Sequence, residues 1–260
     1  MLETRGLGRR FGGLQAVADV SVAVPEGEIL GVIGPNGAGK STFINLVTGQ
    51  LRPSAGQVLV RGKDMTGARP WAMASAGVAR TFQIMKPFRG MTVRENVAVG
   101  ILYGSDRPGT MVKALERADE VLDGVGLAGR EEQVPSELSA ADSRRLELAK
   151  ALALDPQLLL LDEVMAGLRP NEITPSLDLI RRLRDRGLTI LVVEHVMKAI
   201  REVSDRVLVI HQGRVLTSGE PDDVLSDPRV VEAYLGTRYA QRHAEDDAPD
   251  RQGASDARDH

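Results

Sequence analysis

Hydrophobic and polar positions along the chain repeat with two periods, one of two residues and one of three to four. Apolar residues alternate with polar ones from Val17 to Val24, which predicts a half-buried strand. Shorter apolar runs predict further strands at residues 28–33, 57–60, 78–83, 158–161, 188–193, 206–210 and 214–216. Spacings of three and four predict helices after residue 40, across much of 91–125, after residue 139, at 172–186 and after residue 195. Such alternation of strands and helices indicates an α/β fold with a mainly parallel sheet and an antiparallel portion near the N-terminus.

The same pattern divides the chain into three parts. Helical periodicity dominates residues 88–152, which are expected to form a helical lobe inserted between core segments 1–87 and 153–236. Trp71 is expected to pack in this core or lobe. After Tyr239 large apolar residues are absent and Asp, Arg, Ala and Gly dominate, so the tail at 237–260 is predicted to be disordered.

Composition excludes several classes of protein. The net charge of −3 and the aromatic content of 3% argue against a nucleic-acid partner. The absence of cysteine excludes disulfides and thiolate metal sites. No uncharged apolar run approaches the roughly 18 residues of a membrane span. Arg9-Arg10-Phe11 resembles a twin-arginine signal, but the acidic residues that follow leave no apolar segment for export. The chain is therefore predicted to be cytoplasmic.

The strongest chemical motif is GPNGAGKST, which matches G-x-x-x-x-G-K-[ST] between a predicted strand and a predicted helix. Its glycines let successive backbone N–H groups face a phosphate chain. Lys40 is predicted to reach the β- and γ-phosphates, and the Ser41 hydroxyl to ligate Mg²⁺. The predicted nucleotide-binding residues of this loop are Gly34, Pro35, Asn36, Gly37, Ala38, Gly39, Lys40, Ser41 and Thr42.

Polar residues follow three of the predicted strands. In LLLLDE, a strand of four leucines ends at Asp162, a predicted Mg²⁺ ligand, and at Glu163, the predicted catalytic base for an attacking water. His195 follows the strand ILVVEH and is predicted to contact the γ-phosphate, although a lone histidine there is more often a surface residue. Gln83 closes the run ARTFQ and is predicted to reach Mg²⁺ or the water; on its own it is an ordinary loop residue.

Phe11 has two interpretations that the sequence does not separate. The ring can stack on an adenine, or it can pack at the edge of a small N-terminal sheet.

The segment LSAADSRRLELAKAL also has two interpretations. Ser139 and Asp142 fit a capping box that begins a helix, and the same helix start can face a phosphate. Within the helix, Leu146 and Ala149 are predicted to face the core, whereas Glu147 and Lys150 are predicted to face solvent.

In order and spacing, these motifs resemble those of the ATP-binding subunits of ABC transporters, over nearly the whole chain up to about Leu235. The segments RTFQIMKPFRGMTVRENV, DEVMAGL and VEAYLG are similar to the branch that powers branched-chain amino-acid import. The resemblance implies a RecA-like core, an N-terminal antiparallel subdomain and a helical subdomain that carries the signature. It also implies ATP and Mg²⁺ as ligands, and a location at the cytoplasmic face of the cell membrane.

The resemblance further implies a set of partners. Two ATPase chains, identical or homologous, are expected to dimerise head to tail, so that each ATP lies between one phosphate loop and the opposite signature. The signature residues that would act on the partner's ATP are Ser139, Ala140, Ala141 and Asp142. Two membrane permease subunits and a substrate-binding protein are expected to complete the complex.

Two departures and three alternatives follow. The family usually has glycines at Ala140 and Ala141 and glutamine at Asp142, so a weakened half-site is expected; Val164 replaces a common proline. A small-molecule kinase would need an acceptor site, and a soluble ABC protein usually carries two cassettes. An ATPase that powers lipid or lipopolysaccharide export is the main alternative.

Overall fold

The computed structural model describes residues 1–81, 86–104, 109–165 and 167–235. Gln83 and the tail at 237–260 lie outside the described residues, so their predictions stay predictions. The described strands are β1 (Leu2–Phe11), β2 (Leu14–Val24), β3 (Ile29–Ile33), β4 (Ala55–Val60), β5 (Lys63–Asp64), β6 (Val78–Arg80), β7 (Leu158–Asp162), β8 (Thr189–Val193), β9 (Arg206–His211) and β10 (Arg214–Gly219). The described α-helices are α1 (Lys40–Val47), α2 (Pro70–Ser75), α3 (Val93–Tyr103), α4 (Met111–Gly124), α5 (Ala140–Leu152), α6 (Pro170–Asp185), α7 (Met197–Val203), α8 (Pro221–Ser226) and α9 (Pro228–Leu235).

The central sheet has six strands in the order β10-β9-β3-β8-β7-β6. All neighbouring pairs are parallel except β9 and β10, which form an antiparallel hairpin. Every residue of β3, β7 and β8 is buried, because helices cover one face of the sheet and α1 with strands β1, β2 and β4 covers the other. Since parallel strands end at the same edge, the residues that follow β3, β7 and β8 come together there. The predicted parallel core is confirmed.

The second sheet is antiparallel, in the order β2-β1-β4-β5. It confirms the predicted N-terminal antiparallel portion, but β1 itself was not predicted. Its register shifts between Thr4 and Leu7, and Gly6 at this bulge has a φ of 57°. A bulge interrupts the two-residue alternation by which a strand is recognised.

Helices α3, α4 and α5 lie between β6 and β7 in the chain, in the predicted lobe region. Two side-chain predictions in the chain are wrong. Glu147 is buried, because its carboxylate accepts hydrogen bonds from the Lys86 N–H at 3.2 Å and from Lys150 Nζ at 2.7 Å. Trp71 is 70% exposed on the short helix α2 and does not pack in the core.

Candidate nucleotide-binding site

The loop between β3 and α1 is shaped by glycines that no other residue can replace. Gly34 has a φ of 151°, and a Cβ there would lie 2.0 Å from the Ile210 carbonyl oxygen. Gly39 has a φ of 107°, and a Cβ there would lie 2.5 Å from the Ala16 carbonyl oxygen. The loop is therefore pressed against its neighbours on both sides.

The first turn of α1 is open to an anion. Its N-cap residue, Gly39, has no side chain to accept a hydrogen bond from the helix N–H groups, and no acidic residue lies in the first turn. The N–H groups and the positive end of the helix dipole therefore favour a negative group at this position.

Lys40 adds a full positive charge to the same loop. Its Nζ donates hydrogen bonds to the carbonyl oxygens of Gly34, at 2.6 Å, and Pro35, at 3.2 Å. Burial lowers the pKa of Lys40, while the carboxylates of Glu163 and Asp162 act in the opposite direction. The loop thus holds an ammonium group within electrostatic reach of two acidic side chains.

Asp162 ends β7 in a fixed orientation. Its Oδ2 lies 2.6 Å from Nη2 of Arg80, whose Nη1 donates to Asn45 Oδ1 at 2.5 Å. The Asp162 N–H donates to Thr81 Oγ1 at 3.2 Å. Arg80 was not predicted as part of the site; its position at the end of β6, the strand paired with β7, brings it to Asp162.

Glu163 and His195 meet although 32 positions separate them in the chain. His195 Nε2 lies 2.9 Å from Glu163 Oε1, within hydrogen-bond distance. Glu163 has a φ of 53°, a left-handed conformation that costs a non-glycine residue about 1–2 kcal/mol. Its N–H donates to the Val193 carbonyl oxygen at 2.9 Å, which fixes this strained residue to the end of β8.

Glu194 is a further acidic residue near the site, and it was not predicted from the sequence. It is 1% exposed, and its Oε1 accepts the Met165 N–H at 2.8 Å. Burial raises the pKa of Glu194 to about 7, against hydrogen bonds from the backbone of Met165 and His195 that lower it. In the sequence, the one feature that points to Glu194 is its position directly before His195.

A cavity of about 570 Å³ joins most of the predicted site residues. Its lining includes Phe11, Asn36, Gly37, Ala38, Gly39, Lys40, Ser41, Thr42, Glu163 and His195. Phe11 is 42% exposed at the rim, and the Arg9 guanidinium lies 4.7 Å from the centre of its ring. Phe11 lines the same cavity as the phosphate loop, and stacking of its ring on a base stays a prediction.

The start of α5 is built differently from the start of α1. Ser139 Oγ accepts the Asp142 N–H at 3.1 Å and donates its proton to Asp142 Oδ2 at 2.8 Å. The predicted capping box is thus formed only in part, because the carboxylate bonds the Ser139 hydroxyl instead of the Ser139 N–H. Arg130 and Arg145 each approach Asp142 to 3.4 Å. Among the described residues, those lining the cavity around Lys40 do not include Ser139, Ala140, Ala141 or Asp142.

Comparison with known proteins identifies the family. A family model described as ABC transporter matches residues 17–166, which include the phosphate loop, Asp162 and Glu163. LivG of Salmonella typhimurium, a high-affinity branched-chain amino acid transport ATP-binding protein, is 40% identical over 91% of this chain and 98% of its own length. The chain belongs to the ABC transporter family of ATP-binding cassettes. The resemblance predicted from the motifs is confirmed.

Two further matches agree with this family. MJ1267, an ATP-binding cassette of an ABC transporter solved in its ADP conformation, superposes with a TM-score of 0.82 at 32% identity, over 91% of this chain and 98% of its own. LptB of Acidithiobacillus ferridurans, a lipopolysaccharide export system ATP-binding protein, is 33% identical over 92% of this chain and 98% of its own length. The predicted fold class is confirmed by these likenesses.

The C-terminal part of the cassette contacts the phosphate loop directly. A second model, described as branched-chain amino acid ATP-binding cassette transporter, matches residues 214–240. Within this segment Tyr234 of α9 accepts the Gly34 N–H through its hydroxyl oxygen at 2.5 Å, and burial raises the pKa of Tyr234 to about 12. No local pattern in VEAYLG predicts this contact, because Gly34 and Tyr234 are 200 positions apart.

Proposed function

We propose that this cassette binds Mg·ATP in the cavity around Lys40 and hydrolyses it to drive an importer of branched-chain or related amino acids. The observation that carries the proposal is the convergence of an anion-ready helix start, a buried lysine and the Glu163–His195 pair on one cavity. No helix formed by the described residues is long and apolar enough to cross a membrane. From the likeness to transport ATP-binding proteins such as LivG, we infer a peripheral subunit at the cytoplasmic face of the membrane.

Each residue has a separate task in this proposal. The loop N–H groups and Lys40 bind the phosphates, and Phe11 holds the base. Glu163 accepts the proton of the attacking water, while His195, 2.9 Å away, orients that carboxylate and contacts the γ-phosphate. Ser41, Asp162 and Gln83 would hold Mg²⁺, which supplies charge neutralisation on the phosphates.

The proposal is tested by Glu163→Gln, which keeps the size of the side chain and removes its basicity. Turnover of ATP should fall roughly 10²–10⁴-fold while the dissociation constant for ATP changes little. Glu116→Gln, an exposed carboxylate on α4, is the matched control and should behave as wild type. His195→Ala should also slow hydrolysis and spare binding. Unchanged hydrolysis in both Glu163 and His195 variants would place the catalytic site elsewhere.

A second ATPase chain completes the site in this proposal. The start of α5, with Ser139 to Asp142, would face ATP bound to the partner, because these residues lie outside the cavity of their own chain. In this arrangement the isolated chain should hydrolyse ATP slowly. The Glu163→Gln variant should accumulate as an ATP-bound dimer on size exclusion.

The segment from Met85 to Arg89 is the proposed contact with the permease; Met85 itself lies outside the described residues. Phe88 is 49% exposed, yet its backbone is fixed at both ends, because the Phe88 N–H donates to Asn96 Oδ1 at 2.7 Å and Asn96 Nδ2 donates to the Phe88 carbonyl oxygen at 3.1 Å. Lys150 of α5 donates to the Lys86 carbonyl oxygen at 2.9 Å. An exposed ring on a fixed backbone suits a protein contact.

Phe88→Asp should uncouple transport from ATP hydrolysis while leaving the isolated chain folded and active. Trp71→Asp is the matched control, since Trp71 is an exposed aromatic residue elsewhere in the chain, on helix α2. Normal transport by the Phe88 variant would reject the docking surface.

The transported substrate is inferred from the likeness to LivG and from the C-terminal match. Lipopolysaccharide export is the second candidate, because LptB is also similar over nearly its whole length. Expression of this chain in cells that lack their LivG-type subunit separates the two. Restored leucine uptake supports import, and rescue of an LptB-depleted strain instead supports export.

A further inference from the structure

Glu194 is a buried acidic group for which the proposed reaction has no direct use. It follows β8 and precedes His195, and only 1% of its surface is exposed. Removing a carboxylate from water costs free energy unless the protein supplies hydrogen bonds in return. A leucine of similar size would fill this position without that cost. The carboxylate is therefore expected to hold something in place.

Glu194 links the two segments that carry Glu163 and His195. Its Oε1 accepts the N–H of Met165, two residues after Glu163, at 2.8 Å. Glu194 itself follows β8 and directly precedes His195. One buried side chain therefore joins the loop that follows β7 to the residue that follows β8.

The loop after β7 needs such an anchor. Glu163 holds a left-handed conformation, which relaxes unless the residues on both sides of it are fixed. On the N-terminal side of Glu163, Asp162 pairs with Val193 of β8. Glu163 itself is held by the hydrogen bond from its N–H to the Val193 carbonyl oxygen. After this residue the hydrogen bond from Met165 to Glu194 supplies the second anchor.

We propose that Glu194 is a positioning residue that holds the loop after β7 and the chain at His195 in register, and so sets the contact between Glu163 and His195. This rests on the proposed function, in which those two residues act on ATP. A loop released at Met165 can rotate Glu163 away from His195 without affecting the phosphate loop. The effect should therefore fall on turnover and leave ATP binding largely intact.

The test compares Glu194→Ala with Glu194→Gln in the full chain. Alanine removes the acceptor for the Met165 N–H, whereas glutamine keeps an oxygen at the same place. We expect the alanine variant to lose about 10–100-fold in kcat, the range of a displaced catalytic group, with the ATP dissociation constant within about threefold of wild type. Glutamine should restore most of the lost kcat.

Glu28→Gln is the matched control. Glu28 is also a poorly exposed carboxylate, paired with Arg206 at 2.7 Å, but it lies before β3 at the opposite end of the sheet. Its loss should leave kcat unchanged.

A spectroscopic measurement separates positioning from general stability. The ring resonances of His195, assigned by their loss in His195→Ala, should move in Glu194→Ala and return to the wild-type position in Glu194→Gln. Hydrogen exchange at the Met165 N–H tests the contact in the wild-type chain, so the inference stays testable even where the alanine variant does not fold. That amide should be strongly protected.

Three outcomes would overturn the inference: wild-type kcat in the alanine variant, a glutamine variant as slow as alanine, or rapid exchange at the Met165 N–H. Failure of the proposed function looks different. In that case Glu163→Gln itself retains activity, whereas failure of the inference alone leaves Glu163→Gln inactive and Glu194→Ala active.

Discussion

The starts of helices α1 and α5 are both predicted to face phosphate, yet the chain builds them in opposite ways. Helix α1 begins after Gly39 with no side-chain cap and no acidic residue in its first turn, and Lys40 lies at its first position. Helix α5 begins after Ser139, which caps it, and carries Asp142 in its first turn. The first start leaves its N–H groups for a ligand, whereas the second satisfies part of its own hydrogen-bonding capacity.

In the proposed head-to-tail dimer, this difference predicts unequal contributions of the two helix starts to one ATP. At α5 the Ser139 hydroxyl proton is already donated to Asp142, and two arginines approach the same carboxylate. A phosphate at this helix start would have to compete with Asp142 for the hydroxyl and for the arginines. The half-site is therefore expected to be weak but functional, since the backbone N–H groups of Ala140 and Ala141 remain.

The largest effect should come from Lys40→Ala, which changes the start of α1, the helix start whose N–H groups are left for a ligand. The variant loses the only side-chain cation of the loop and its charge-assisted bonds to the phosphates. ATP affinity should fall by about 10²-fold or more, equivalent to roughly 3 kcal/mol. Titration calorimetry with Mg·ATP measures this directly, and Lys63→Ala on the exposed strand β5 is the control. Undiminished affinity would reject the phosphate-loop assignment.

Tyr234→Phe tests the start of α1 from a second side, because it removes the hydroxyl that contacts the phosphate loop. The Gly34 N–H loses its acceptor, and an unsatisfied buried donor costs about 1–3 kcal/mol. The free energy of unfolding should fall by that amount, and ATP affinity should fall more modestly. Chemical denaturation measures the first quantity. Tyr103→Phe removes a hydroxyl from a residue that is 73% exposed and should have no effect; equal stability of the two variants would contradict the role of Tyr234.

Ser139→Ala removes the cap of the other helix. Stability should fall by about 1 kcal/mol, the usual cost of losing an N-cap. ATPase activity of the assembled complex should also fall, because the partner's ATP loses a hydroxyl donor. Ser143→Ala, one turn further along α5, is the control for changing a serine on this helix. Unchanged hydrolysis would leave Leu138 to Arg145 as a capped helix only.

The smallest effect should come from Ala141→Gly combined with Asp142→Gln, which makes the start of α5 more like the start of α1. Removal of one negative charge from a helix N-terminus is worth about 0.3–1 kcal/mol to an approaching anion. ATPase activity of the complex should therefore rise about two- to fivefold in an assay at saturating ATP. A fall in activity would show that Asp142 supports the half-site.

The features that the sequence predicted best are local ones. The glycines of GPNGAGKST determine the conformation of that loop, and LLLLDE indicates a strand buried on both faces. The features it missed depend on residues distant in the chain. Glu147 looks solvent-facing by helical period, but the segment at Lys86 buries it. The contacts of Arg80 with Asp162 and of Tyr234 with Gly34 join positions 82 and 200 residues apart, so no local pattern records them.

Hydrogen exchange with and without Mg·ATP tests the contrast between the two helix starts most directly. In the isolated chain, kept monomeric, nucleotide should protect the amides of residues 36–42 and leave those of 139–142 unchanged. In the ATP-bound dimer of Glu163→Gln, residues 139–142 should gain protection, and less than residues 36–42. Protection of 139–142 in the monomer, or none at 36–42, would contradict the account.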